Sequence, residues 1–236
     1  MAAESLPPFD AQVTGTDRYE AVNDPSHEPA VSPRHPFTGL KSESQFAPFR
    51  MDALSPGAIR GGDHVKRHPF GRVPVIEHGD YRLYETQAIL RYLDAAFPDP
   101  PLPPGEPHAI GRMNQIIGIN DWYLFPKVAA VIVFNRIVGP VLMGKTPDEA
   151  AIADAMPMAQ TCINELDRLL GSKSFLVGER LSIADLMVAP QLDFFQATRE
   201  GKSLLDGTKL ADWLARINQR PSMQQTQRPE NLRAAA

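Results

Sequence analysis

Val73-Pro74-Val75-Ile76-Glu77-His78-Gly79-Asp80-Tyr81-Arg82-Leu83-Tyr84-Glu85-Thr86 is the stretch that decides the fold. Val73-Pro74-Val75-Ile76-Glu77 and Tyr81-Arg82-Leu83-Tyr84 are short and rich in β-branched and aromatic residues. They flank His78-Gly79-Asp80, where Gly79 offers the positive φ of a tight turn, so the spacing predicts a β-hairpin. From Glu85 to Phe97 the period changes. Ala88, Ile89, Tyr92, Leu93 and Ala96 recur at helical spacing and predict an amphipathic helix.

Working outward, Phe49-Arg50-Met51-Asp52-Ala53-Leu54 alternates weakly and predicts a further strand, stopped by Ser55-Pro56-Gly57. On the other side, six prolines among residues 98–107 make a stiff, extended connector and place a domain boundary there. Beyond it the chain reads as helices. His108 to about Val138 is a long apolar stretch whose period should break at Pro126. Thr146-Pro147-Asp148-Glu149 offers Thr146 as N-cap and Pro147 as first helical residue of a helix that runs to Leu170, kinked at Pro157. Ser182-Ile183-Ala184-Asp185 is a second capping box, and Asp212 to Arg220 is a closing helix ended by Pro221. The expected organisation is an irregular segment over 1–48, an α/β unit over 49–97, a linker over 98–107, an all-helical domain over 108–222, and a polar tail over 223–236.

Composition narrows the function. A hydrophobic fraction of 43% and a charged fraction of 22% are ordinary for a globular protein. The formal net charge of −4 argues against a nucleic-acid partner, which usually needs a basic face. No unbroken run of 18 apolar residues occurs, so no membrane span is expected. The start, MAAESLPPFD, has neither the basic residues nor the apolar block of a signal peptide. With one cysteine, Cys162, the chain has no intramolecular disulfide and no multi-cysteine zinc site. An intracellular protein without a metal is the expectation. His64 and His68 stand four apart, yet Pro69 ends any helix and no third ligand is near.

The hairpin also carries a binding chemistry. Pro74 opens a strand instead of interrupting one, which leaves the backbone N–H and C=O of Val73 available to an extended, peptide-like ligand. Glu85-Thr86 opens a helix, where backbone N–H groups and the dipole attract a carboxylate. A bland alternative gives Glu85 and Thr86 a helix-capping role only.

His68-Pro69-Phe70-Gly71-Arg72-Val73-Pro74-Val75-Ile76, followed by Leu83-Tyr84-Glu85-Thr86-Gln87-Ala88-Ile89-Leu90-Arg91-Tyr92-Leu93, resembles the glutathione transferase family. Phe175-Leu176-Val177-Gly178-Glu179-Arg180-Leu181-Ser182-Ile183-Ala184-Asp185 resembles that family's helical half, and Gly139-Pro140 to Gly144 leans toward its phi-like and bacterial members. The resemblance covers about residues 49–222. It implies a thioredoxin-like α/β domain followed by an all-α domain, a cytoplasmic homodimer, and a cis Pro74. It implies conjugation of the glutathione thiolate to hydrophobic electrophiles, a role in detoxification, and glutathione as co-substrate with no cofactor. Val73 and Pro74 would pair with the cysteinyl part, Glu85 and Thr86 would hold the γ-glutamyl end, and Arg72 and Arg60 would lie near the glycyl end. Trp122, Tyr123 and Phe125, on the first long helix, would line the pocket for the hydrophobic electrophile; their other reading is core packing.

Residues 1–48 fit none of this. The family's first strand and helix, with the hydroxyl or thiol that activates glutathione, should stand there, and neither is recognisable. Ser5, Thr14, Thr16 and Tyr19 lack a strand–turn–helix context, so the catalytic group is unassigned and the α/β domain reads as incomplete. Either a reading-frame change was grafted onto an ordinary transferase, or a real divergence leaves a non-catalytic glutathione-binding or scaffold protein.

Overall fold

The hairpin forms where its residues predict it. In the computed structural model, which describes residues 12–13, 50–51, 62–78, 80–97, 101–102 and 104–225, β3 (Val75–His78) and β4 (Tyr81–Tyr84) pair antiparallel. Their register sets Val75 against Tyr84, Ile76 against Leu83, Glu77 against Arg82 and His78 against Tyr81. The Glu77 carboxylate accepts from Arg82 Nε at 2.7 Å, an opposite-charge cross-strand pair. Val75, Ile76 and His78 are buried, as expected of an interior strand, whereas Tyr81 and Arg82 on β4 are exposed.

Among the described residues the sheet has four strands; with β1 (Gln12–Val13) and β2 (Arg50–Met51) their order is β2-β1-β3-β4. β2 (Arg50–Met51) falls inside the strand expected over Phe49–Leu54. β1 (Gln12–Val13) pairs parallel with β2 and antiparallel with β3, Gln12 standing opposite both Arg50 and Glu77. Reading residues 1–48 as a segment without a first strand is therefore corrected at Gln12–Val13. Two residues have no hydrophobic period, and their conformation is set by the strand edges on either side. Ser5, Thr14, Thr16, Tyr19 and the remainder of that segment, and Arg60 beyond it, lie outside the described residues.

Between β2 and β3, α1 (His64–Arg67) is a single turn closed by the His68 N–H donating to the His64 carbonyl. α2 (Thr86–Ala96) buries Ile89, Leu90, Leu93 and Asp94. A hydrogen bond of 2.6 Å joins His78 Nδ1 and the Tyr92 hydroxyl, tying β3 to α2. The chain divides into two compact units, Met1–Tyr92 and Leu93–Ala236. At the start of the second, the Asp94 carboxylate accepts from the Leu102 N–H at 2.8 Å, so the proline-rich stretch is held at a buried leucine.

Among its described residues the second unit has helices joined by loops and no strand. α3 runs 37 residues, Pro107–Met143. Glu106 caps it by accepting from the His108 and Ala109 N–H groups, each at 2.9 Å, with Pro107 at the first helical position. Over Asn120–Val138 the helix widens to π-type hydrogen bonding. Pro126 has no N–H to give, and its ring crowds the carbonyl four residues back; the widened form is how the helix passes it. Its buried stripe follows the wider turn: Asn120, Leu124, Val128, Ile132 or Val133, and Ile137 are four to five residues apart, where an α-helix would space them at 3.6. By length and composition α3 is apolar enough to cross a bilayer, as core helices of globular proteins also are, with 33% of its most apolar window buried. Its buried stripe packs on α4 (Glu149–Leu170) and α5 (Ile183–Gln196).

α4 begins two residues later than Thr146-Pro147 suggested. Asp148 is its N-cap, accepting from the Ala151 N–H at 3.0 Å, while the Asp148 N–H donates to Asn135 Oδ1. A carboxylate fixed in this way out-competes a threonine that has no such anchor. Pro157 lies inside α4 as expected. α6 (Arg199–Leu205) and α7 (Lys209–Asn218) are capped by Thr198 and Thr208. Pro221 does not lead into the polar tail; it opens a short helix, α8 (Pro221–Gln225), which buries Met223.

Candidate functional site

The site is built by the register of one hairpin. Because Val75 pairs with Tyr84, the residues one step beyond, Pro74 and Glu85, come to the same end of the sheet from opposite directions. Arg72, Val73 and Pro74 enter β3 there, and Glu85 and Thr86 leave β4 for α2. The Val73–Pro74 peptide bond is cis. Arg72 is exposed, while Val73, Pro74 and Thr86 are half-buried.

Glu85 is the one described non-glycine residue with positive φ, at 73°. That left-handed conformation lets the chain turn from β4 into α2 in a single residue, at a cost of about 1 kcal/mol or more in a residue with a Cβ. The Glu85 carbonyl accepts the Ile89 N–H at 3.0 Å, starting the helix, while its side chain stays exposed. A carboxylate on an exposed turn, beside N–H groups of a helix start, suits a ligand with both an ammonium and a carboxylate.

Behind the loop lies a group of rings. His68 packs on Tyr84 with centroids 4.7 Å apart and meets Phe70 edge-on at 6.1 Å. His64 stacks on His68 at 6.2 Å, and its Nε2–H donates to the Arg72 carbonyl at 2.7 Å. Burial pushes the His68 imidazole below its ordinary value, against an upward pull from Glu85 and with smaller downward contributions from His64 and Arg72. Among the described residues no group of three His, Cys, Asp or Glu could hold a metal. A contact spanning eight residues of irregular loop leaves no periodic trace, so the bond from His64 to Arg72 was invisible in the sequence.

Trp122, Tyr123 and Phe125 are 78%, 50% and 39% exposed on α3, around a fully buried Leu124. Core packing is thus not their role within this chain. Cys162, on α4, is buried, and burial raises its thiol to about 11. A thiol so protonated is a poor nucleophile.

Two family models match the chain: "Glutathione S-transferase, N-terminal domain" over residues 54–95 and "Glutathione S-transferase, C-terminal domain" over residues 149–216. Both are domains of the glutathione S-transferase family, in the order in which this chain carries the matches. Among its relatives, glutathione S-transferase F6 of Arabidopsis thaliana is 27% identical over 174 residues, covering 70% of this chain and 82% of that protein. A glutathione S-transferase of Hyoscyamus muticus is 29% identical over 177 residues, covering 72% and 82%. Glutathione transferase F7 of Populus trichocarpa superposes with a TM-score of 0.71 at 23% identity, covering 82% of this chain and 91% of that one. Glutathione S-transferase-I, solved with lactoylglutathione, gives 0.69 at 22%, covering 86% and 93%. The first unit accordingly has the thioredoxin-like fold, and the second the all-helical fold, of the glutathione transferases on which the chain superposes. The N-terminal match spans α1, the hairpin and most of α2, hence Arg72, Val73, Pro74, Glu85 and Thr86. Residues 1–53 fall outside both matches.

Proposed function

We propose that this chain conjugates the thiolate of glutathione to hydrophobic electrophiles. The observation that carries the reading is the hairpin register, which brings Val73–Pro74 and Glu85–Thr86 to one end of the sheet inside the segment matched by the family's N-terminal model. In this reading the Val73 backbone pairs with the cysteinyl residue of glutathione. Glu85 and the start of α2 take the γ-glutamyl ammonium and carboxylate, and Arg72 and Arg60 serve the glycyl carboxylate. Trp122, Tyr123 and Phe125 supply apolar surface for the electrophile.

The protein holds glutathione and lowers the entropy cost of the encounter. The thiol loses its proton to solvent, the sulfur lone pair forms an S–C bond, and in a substitution the leaving group departs with its bonding pair. Glutathione is a co-substrate in this scheme, and no cofactor is invoked. By analogy with its relatives the protein is a cytoplasmic homodimer acting in detoxification. A glutathione-dependent reduction through an active-site cysteine is disfavoured, because Cys162 is buried and protonated.

A second reading is a glutathione-binding protein without turnover. It is favoured by the stretch outside the family match, residues 1–53, where the thiol-activating group would stand. A glutathione-affinity column followed by conjugation of 1-chloro-2,4-dinitrobenzene separates the two. Retention with turnover supports the transferase, retention alone supports the binding protein, and absence of both overturns the clamp.

A further inference from the structure

His64 and His68 are 5% and 2% exposed, and neither has a place in the scheme above. The Nδ1 atoms of both rings are buried without a hydrogen-bond partner among the described residues. The pair nevertheless touches both arms of the clamp. His64 holds the Arg72 carbonyl, the last backbone acceptor before Val73, and His68 packs on Tyr84, the residue before Glu85.

The chemistry of the ring dictates what this arrangement tolerates. The bond from His64 to Arg72 needs a proton on Nε2, so the neutral ring carries none on Nδ1. Adding that second proton creates a buried N–H with no acceptor among the described residues and a buried charge stacked on another imidazole. Four titratable or charged groups face the pair: Glu85 at the start of α2, Tyr84 on β4, Arg72 in the loop, and each histidine for the other. Of these only Glu85 favours the cation, and burial outweighs it at His68.

We propose that His64 and His68 are positioning residues for glutathione: His64 holds the Arg72–Val73 backbone, His68 holds the Tyr84–Glu85 step in register, and protonation of the buried His68 ring releases that step. The proposal rests on the glutathione clamp inferred above. It adds a pH dependence of binding that is separate from ionisation of the thiol. The direction follows from His68, whose imidazole burial holds below its ordinary value: binding is full above about 6.5 and weakens as pH falls below it.

The test uses the full chain and S-methylglutathione, whose thioether does not titrate and whose amine and carboxylates keep their charge between pH 7.0 and 5.5. Calorimetry should show wild-type affinity falling about fivefold across that range, the scale of one buried N–H left without an acceptor. His64→Leu removes the donor and should weaken binding by a similar factor at pH 7.0, raising KM for glutathione while kcat is preserved. His64→Gln restores an N–H without a titrating ring. Combined with His68→Asn, it should recover most of the affinity that His64→Leu loses and abolish the pH slope. A flat wild-type profile, or a slope that survives in the double variant, overturns the proposal. If no variant binds S-methylglutathione at any pH, the clamp itself is wrong. The ligand-free Val73 amide resonance then decides: it follows imidazole titration if the pair holds the loop, and stays fixed if it does not.

Discussion

Asp185 shows how much one buried carboxylate can organise. Its Oδ1 accepts from the Leu176 N–H at 2.9 Å and from Trp213 Nε1 at 3.1 Å; its Oδ2 accepts from the Ser182 N–H at 2.9 Å and the Ser182 hydroxyl at 2.7 Å. Burial raises the Asp185 carboxyl above its ordinary value, and the four donors oppose that shift. Removing it strands two backbone N–H groups and an indole N–H in the core, each worth about 1–3 kcal/mol when unsatisfied. Asp185→Ala should therefore lower stability by about 3 kcal/mol or more in urea unfolding followed by tryptophan fluorescence; a loss under about 1 kcal/mol would mean that water replaces the carboxylate. Glu85 makes the opposite case, where stability and function separate. Glu85→Gly relieves a positive φ and should leave the melting temperature unchanged or slightly higher. The same change removes the carboxylate that we propose meets the γ-glutamyl ammonium, so on that reading KM for glutathione should rise about tenfold, the scale of a hydrogen bond to a charged group. Unchanged KM would reduce Glu85 to a turn residue.

At the scale of elements, helices α3, α4 and α6 are joined by charge as well as by apolar packing. Arg136 on α3 donates to both oxygens of Glu149 on α4, and its Nε and Nη2 reach Glu200 on α6. Arg199 bridges Glu149 and Glu200. Burial alone would push the Glu200 carboxyl up, yet hydrogen bonds from Arg136 and Arg199 outweigh it and hold it at about 2. A depressed carboxyl stabilises above its ordinary value of about 4.5 and loses that contribution as pH falls toward about 2. Acid unfolding should steepen in that window. Glu200→Gln should flatten it and cost about 2 kcal/mol at pH 7 in denaturant unfolding, since Glu149 still pairs with Arg136. Equal acid sensitivity in both proteins would place the titrating group elsewhere. These elements also mark what was legible in the sequence. The hairpin, α2 and the Ser182–Asp185 box were readable because a period of 2 or 3.6, or a fixed cap spacing, writes itself into neighbouring residues. The cap of α4 depends on Asn135 thirteen positions away, α8 depends on a burial site for Met223, and the His64–Arg72 bond crosses a loop. None of these has a local period to read.

For the whole molecule, the question is whether the first 48 residues belong to the fold. Their sequence argues that they do not, with prolines at 7, 8, 25, 29, 33, 36 and 48 and no amphipathic run. The sheet argues otherwise. β1 is an interior strand, standing between β2 and β3, so without Gln12–Val13 the Arg50–Met51 strand has no neighbour in the sheet. Gln12 pairs on both sides, and a proline there removes a ladder hydrogen bond whichever neighbour its N–H faces. Gln12→Pro should cost about 3 kcal/mol. The consequence should be local to the sheet: amide exchange at Val75–His78 should quicken by about two orders of magnitude, with glutathione retention reduced alongside it. Had the segment been a passive appendage, Gln12→Pro would leave both exchange and retention at wild-type values.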